Sequence, residues 1–264
     1  MNITEIAEII DNHKYSILII IVVIVLFIYI ILIYKQAHAN QYVIIDKPHI
    51  SSETKRSISY DKLPASKKDV QCSYSIWIYI DDRPGNAKRT KGDNYFYRVF
   101  SKEADHNLVL NKYNCSKKKQ AELLKKDIDL SYGSPGVYYR PSDGKLMITA
   151  QTYKTHKFLT KSLLLQKWNN IVLSLDSNNL DVYINGELYR SYNLDSVINL
   201  GNGNLKIADK ENNIYCKLSY FRYFNWTLTP EEVYKLYNYT NKNNPHKPLL
   251  WWLFTPHFLK LINF

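Results

Sequence analysis

Few residues in this 264-residue chain have the types and spacing to do chemistry. Two pairs of acids come first. Asp127 and Asp129 stand two apart, so on a strand they would share one face. Asp81 and Asp82 are adjacent and run into Arg83-Pro84-Gly85, a sequence that makes a solvated turn. Two facing carboxylates could serve as acid and base on a glycosidic bond, but neither pair has a third acid beside it. The seven histidines, at 13, 38, 49, 106, 156, 246 and 257, are scattered. None forms a zinc-ligand spacing with Cys72, Cys115 or Cys216. Cys216 falls on an expected strand and Cys72 just before one. Buried free thiols are expected there, and a Cys72–Cys216 bridge is open only in an oxidising compartment. The expectation is therefore no catalytic residue, no resident metal and no cofactor.

Charge is the more informative signal. Lys and Arg total 35 against 24 Asp and Glu, a formal +11. Glu5, Glu8 and Asp11 against Lys14 leave residues 1–14 at −2, so the rest carries +13. Much of it clusters at Lys67, Lys68, Lys88, Arg89, Lys91, Lys117 to Lys119, Lys125, Lys126, Lys154, Lys157, Lys161 and Lys167. Such a surface attracts anionic lipid or acidic proteins. No nucleic-acid recognition motif accompanies the charge, which argues against that partner. A merely solvated, lysine-rich face is the plain alternative.

The elements that would position these groups begin with a membrane segment. Tyr15 to Tyr34 holds no charge and lies between Lys14 and Lys35. Twenty helical residues rise roughly 30 Å, the thickness of the hydrocarbon layer. Ile17, Ile21, Val25, Phe27 and Ile31 supply the apolar body, and Tyr34 sits at the interfacial level. A cleaved signal peptide is the competing reading, since Ala37-His38-Ala39 has the small-x-small form. The apolar stretch exceeds a signal core, and the acidic lead is the wrong flank. Lys35, Lys47, Lys55 and Arg56 after the span favour a cytosolic C-terminal body. Four sequons, at Asn2, Asn114, Asn225 and Asn238, would contradict that side if the last three carried glycans.

Residues 35–70 read as a polar stalk. From 71 to about 240 short apolar and aromatic runs alternate with turns, as in an antiparallel sandwich or barrel. Runs are expected at 74–80, 95–100, 107–110, 136–139, 145–152, 171–175, 180–184, 187–190, 205–208 and 214–224. Asn185-Gly186 between two of them is the strongest hairpin signal, because both residues need positive φ. Ser116 to Lys126 reads as a basic helical insertion. Thr229-Pro230-Glu231-Glu232 opens a C-terminal helix with a capping box. Residues 241–264 form an apolar, aromatic tail in which Trp251, Trp252, Phe254 and Phe258 suit a membrane interface or a partner groove.

At this point a family resemblance is carried by definite residues. Leu165 to Leu175 with Trp168, then Leu180-Asp-Val-Tyr183-Ile-Asn185-Gly186-Glu-Leu188, resembles the hairpin of laminin-G-like domains in the concanavalin A-like jelly-roll superfamily. Lys217 to Glu232 resembles that family's last strand and closing helix, and Ser134 to Tyr139 with Lys145 to Thr149 also fits. The form with an N-terminal anchor is similar to one carried by large double-stranded DNA viruses of eukaryotes. The resemblance implies an all-β, two-sheet antiparallel jelly roll over 71–240, with Trp168 filling the core and Tyr183, Asn185, Gly186, Thr229, Pro230 and Glu232 making the fold. Some relatives hydrolyse glycans with Glu-x-Asp-x-x-Glu on one strand, which is not found here. Others hold calcium through loop oxygens. Asp93, Asn94, Asp143, Asp176, Asn178 and Asn179 could supply some, at too low a density for a site.

The function expected is a single-pass membrane protein presenting a non-enzymatic binding domain. In the viral form its partners would be capsid or other virion proteins beside the lipid membrane. The alternative is a surface lectin binding glycans in attachment; a glycan hydrolase is the weaker third.

Overall fold

The computed structural model describes residues 3–50, 56–66, 70–81, 93–103, 133–200, 203–208 and 216–241. The described residues fall into two compact units that divide after Ala39.

In the first unit α1 runs from Ile3 to Ala39. Its β-branched run would favour a strand in water. Helix nevertheless satisfies every backbone group within one segment. All described side chains from Leu18 to Leu32 are solvent-exposed, whichever way they face, with Phe27 at 63% and Ile31 at 39%. Among the described residues no helix is long and apolar enough to cross a membrane. The described side chains are unbroken only from Leu18 to Ile33, about 24 Å of rise. That falls short of the roughly 30 Å hydrocarbon layer. The span expected over 15–34 is thus not established by the described residues.

In the second unit the described residues form thirteen strands in two antiparallel sheets. They are β1 (Gln41–Ile45), β2 (His49–Ile50), β3 (Arg56–Ile58), β4 (Gln71–Ile80), β5 (Tyr97–Lys102), β6 (Gly136–Arg140), β7 (Lys145–Gln151), β8 (Thr155–Ser162), β9 (Trp168–Asp176), β10 (Asn179–Ile184), β11 (Glu187–Asn193), β12 (Leu205–Ile207) and β13 (Cys216–Phe224). One sheet has the order β1-β13-β4-β9-β10-β11, with β2 also on β13. The other has the order β3-β12-β5-β6-β7-β8. The period-2 alternation decides what goes inside. Tyr74, Ile76, Ile78 and Ile80 of β4 meet Ile171, Leu173 and Leu175 of β9 in the core between the sheets. From the other sheet come Phe100, Val137, Tyr139, Leu146 and Ile148. Phe100 sits 4.7 Å from Phe221, ring centre to ring centre.

The opposite face of the larger sheet carries Ser73, Ser75, Trp77 and Tyr79, and α2 (Pro230–Asn241) packs on it. Trp77 stacks on Tyr237 at 5.6 Å and 13°, and its Nε1 donates to Thr240 Oγ1 at 3.0 Å. The capping box is formed: Thr229 N donates to Glu232 Oε2 at 2.8 Å, and Glu232 N to Thr229 Oγ1 at 3.3 Å. Asn185 (φ 55°) and Gly186 (φ 82°) both take positive φ between β10 and β11.

Several expectations need correcting. The stalk contributes three strands: β1 pairs with β13, β2 extends that pairing, and β3 edges the smaller sheet on β12. These strands are short and polar-flanked, so the sequence carries no clear period there. Trp168 does not fill the core. It is half-buried and opens β9 on the even-numbered outer side, its ring 5.5 Å from Tyr79. Cys72 and Cys216 are both buried. Cys216 pairs with Ile80 at one end of β4, while Cys72 lies at the other, about 26 Å apart along the strand. A bridge between them is excluded, and burial pushes the Cys72 thiol up to about 12. Strand β8 was not expected. The strand expected at 107–110, the basic helix at 116–126 and the tail residues Trp251, Trp252, Phe254 and Phe258 lie outside the described residues.

Candidate functional site

The densest cluster of polar side chains was not anticipated from sequence. It sits at the β7–β8 turn, Thr152 to Lys154, and takes one carboxylate from the segment after β11. Asp195 Oδ1 accepts from Thr152 Oγ1 at 3.1 Å and lies 3.1 Å from His156 Nε2. Its Oδ2 accepts from Tyr153 Oη at 2.6 Å and pairs with Lys154 Nζ at 2.7 Å. His156 Nε2 is also 2.9 Å from Thr152 Oγ1. Since that hydroxyl donates to Asp195, the network assigns the ring proton to Nε2. The Lys154 contact, then the Tyr153 hydroxyl, hold the Asp195 carboxyl far below the usual carboxylate range. The same contact raises Lys154.

A stack of planar groups continues from the cluster. The His156 ring lies 6.1 Å from Phe158 at 14°. Phe158 lies 3.9 Å from Tyr192 at 22°, and the Arg190 guanidinium sits 5.9 Å from the Tyr192 ring centre. β8 and β11 are the edge strands of the two sheets, so the Phe158–Tyr192 contact closes the sandwich along that side. Asp195 is locked as an anion with every oxygen engaged, which makes it a poor proton donor and a poor base at neutral pH. The exposed ring of Tyr153 and the Lys154 side chain give the cluster a recognition surface.

Other acids are tied into turns. Asp143 takes Arg140 Nε and Nη2 at 3.0 and 2.6 Å, which holds its carboxyl down at about 2. Asp176 accepts from Gln71 Nε2 at 3.2 Å, and Asn178 Nδ2 donates to Asn193 Oδ1 at 2.7 Å. The carboxylates of Asp143 and Asp176 are thus engaged within the fold. Among the described residues no group of three or more His, Cys, Asp or Glu stands together to hold a metal. Asn225 is buried, donating to Ala65 O at 3.0 Å, so its sequon is closed to a glycan in the folded domain.

The residues singled out in sequence fall in separate places. Ile21, Val25, Phe27 and Ile31 are exposed along α1, and Ile17 and Tyr34 belong to the same helix. Tyr183 is buried, and burial pushes its hydroxyl up to about 12. Asn185 closes the β10–β11 turn and accepts from Asn170 N at 2.8 Å. Gly186 passes under Tyr237, where a Cβ would come within 2.7 Å of the ring. Thr229, Pro230 and Glu232 start α2. No local spacing could have revealed the Asp195 cluster, because its carboxylate lies 39 residues from His156. The one available hint was the polar alternation of 155–162, blurred on an edge strand.

Residues 122–234 match the family model described as the concanavalin A-like lectin/glucanases superfamily. No curated protein matches the chain. Similar solved structures include the receptor-binding domain of a botulinum neurotoxin C/D mosaic serotype, at 17% identity and TM-score 0.45, covering 66% of this chain and 37% of that one. The ligand-binding domain of botulinum neurotoxin serotype D, solved with N-acetylneuraminic acid, shows 16% identity and TM-score 0.45 over 78% of this chain and 43% of that one. The receptor-binding domain of botulinum neurotoxin type G shows 14% identity and TM-score 0.44 over 76% and 46%. The chain therefore spans less than half the length of these three, and at such identities and TM-scores nothing about ligands carries across. Residues 122–234 are thus similar to the concanavalin A-like superfamily, and the described residues around them form two antiparallel sheets.

Proposed function

We propose that this is a single-pass membrane protein that presents a non-enzymatic binding domain. The observation that carries the reading is α1, whose side chains from Leu18 to Leu32 are apolar and exposed on every face. A helix apolar all round is unstable in water and at home in lipid. By sequence the uncharged run extends through Ile17 to Tyr15 and through Tyr34, twenty residues in all, enough to cross. The locked carboxylates of Asp143 and Asp195 support binding over proton transfer. With the sandwich on the cytosolic or capsid-facing side, its partners are virion or other acidic proteins. Full-length protein should stay with membranes through alkaline carbonate extraction, and a chain lacking residues 1–39 should be released. Release of the full-length chain would overturn the anchor. Protease protection of residues 41–264 in sealed membranes fixes the side.

A second reading is favoured by the exposed Tyr153 beside Lys154 and Asp195: a glycan-binding surface. Aromatic faces flanked by fixed hydrogen-bonding groups suit sugars. Glycan-array binding that disappears with Tyr153→Ala would establish it, and array binding that survives the change would exclude this patch.

A further inference from the structure

The register of the larger sheet gives the sandwich two ends. Gln41, the first residue of β1, pairs with Phe224, which pairs with Ser73, which pairs with Ser174. That is the end at which the chain arrives from α1. Six residues further along β4, about 20 Å away, Tyr79 pairs with both Lys217 and Trp168. The β8–β9 loop, residues 163–167, belongs to this far end.

The loop is unusual. Leu163 is buried, but the adjacent Leu164 and Leu165 are 55% and 46% exposed at its tip. Leu159 of β8 is also exposed. Exposed Lys161 and Lys167 flank the tip, and among the described residues neither meets a carboxylate. Beside it Trp168 and Tyr79 are half-buried, with Lys217 Nζ 5.6 Å from the Tyr79 ring centre. The acids described at this end are Asp81, buried, Asp93, Asp143, which is paired with Arg140 and Lys145, and Glu187, exposed at the β10–β11 turn.

The loop is also held in place by several backbone hydrogen bonds. Gln166 N donates to Ile80 O at 2.9 Å, and Leu163 N to Gly144 O at 2.8 Å. The buried Asn169 side chain donates to Leu164 O at 2.8 Å and Lys167 O at 3.1 Å, and accepts from Leu164 N at 3.3 Å. A tip with part of its backbone already paired orphans fewer groups when it leaves water. Two leucines at a loop tip, interfacial aromatics behind them and lysines around them are the chemistry of a membrane-docking surface. A protein groove would require shape; a headgroup layer requires only apolar depth and cationic flanks.

We propose that the loop around Leu164 and Leu165 docks into the interface of an anionic bilayer. The inference rests on the anchored reading above. Full-length protein is reconstituted in neutral vesicles, and a second, distinguishable set containing phosphatidylserine is added and floated with it. Capture of the second set is expected, with none for a purely neutral set. Leu164→Ser/Leu165→Ser should reduce capture by about tenfold, and Lys161→Glu/Lys167→Glu should reduce it comparably and remove its salt sensitivity. Unchanged thermal unfolding of both variants confirms that the fold is intact. Protein that floats with its own vesicles but captures no second set, captures neutral vesicles equally, or is unaffected by both variants overturns the loop's role; absence of capture points instead to a protein partner. Protein that fails to float with its own vesicles overturns the anchor on which the inference rests.

Discussion

Tyr183 shows how a single side chain can be fold-making and still imperfect. Its ring is buried, yet among the described residues its hydroxyl finds no partner. A buried unpaired hydroxyl forfeits its hydration, so Tyr183→Phe should leave stability unchanged or raise it by up to about 1 kcal/mol. Denaturant unfolding checks this, and a clear loss would mean that the hydroxyl is satisfied in solution. Asp143 gives the opposite case. Its folded pKa of about 2 lies below the ordinary 3.8, mainly because Arg140 hydrogen-bonds to it. The ionised form therefore stabilises the fold above about pH 4, and this contribution is lost as pH falls through about 2. The pair is partly exposed at the surface, so its contribution is about 1 kcal/mol or less. Thermal unfolding of Asp143→Asn against pH should show a shallower acid limb than the parent chain, with the two curves closest near pH 2. Parallel curves would remove Asp143 from the acid response.

At the scale of elements, α2 and the β10–β11 hairpin depend on one another through Tyr237. Its ring stacks on Trp77 of β4 and covers Gly186. Gly186→Ala meets two obstacles, a φ of 82° and a Cβ within 2.7 Å of the Tyr237 ring. Trp77→Ala removes the stacking surface and leaves Thr240 without that donor. It should cost about 3–5 kcal/mol, within the range for buried aromatic truncations. Thr229→Ala, which only opens the capping box, should cost about 1 kcal/mol. The order of the three melting temperatures tests the coupling: Trp77→Ala lowest, Thr229→Ala nearest the parent. These elements were also the legible ones. Asn185-Gly186 and Thr229-Pro230-Glu231-Glu232 encode their geometry in the chemistry of adjacent residues, so sequence suffices. Trp168 was misplaced because its side depends on β9's parity relative to the core, set by Ile171, Leu173 and Leu175 rather than by the tryptophan. The Asp195 cluster was invisible for a related reason: two sheet edges create it, and neither edge strand carries a clean apolar period.

For the whole molecule, the decisive misreading concerned where the folded body begins. A domain cut at residue 71 looks complete in sequence, since β4 is the first strongly apolar strand. The structure makes the preceding residues part of both sheets. β1 covers one flank of β13, with Ile44 and Ile45 buried, and β3 covers β12. Leu63 is buried against the same core. Removing residues 40–70 strips three strands and exposes two sheet edges, on β13 and β12, each a template for association. Two buried isoleucines and a leucine, at about 2–3 kcal/mol each, approach the whole stability of a typical domain of about 5–15 kcal/mol. A chain spanning 40–248 should therefore unfold cooperatively and remain monomeric, whereas one spanning 71–248 should aggregate or melt at far lower temperature. Matching melting curves and elution volumes for the two would show β1 to β3 to be accessory. Unequal ones would show β1, which pairs with β13 from Gln41 onward, to be an integral part of the sandwich.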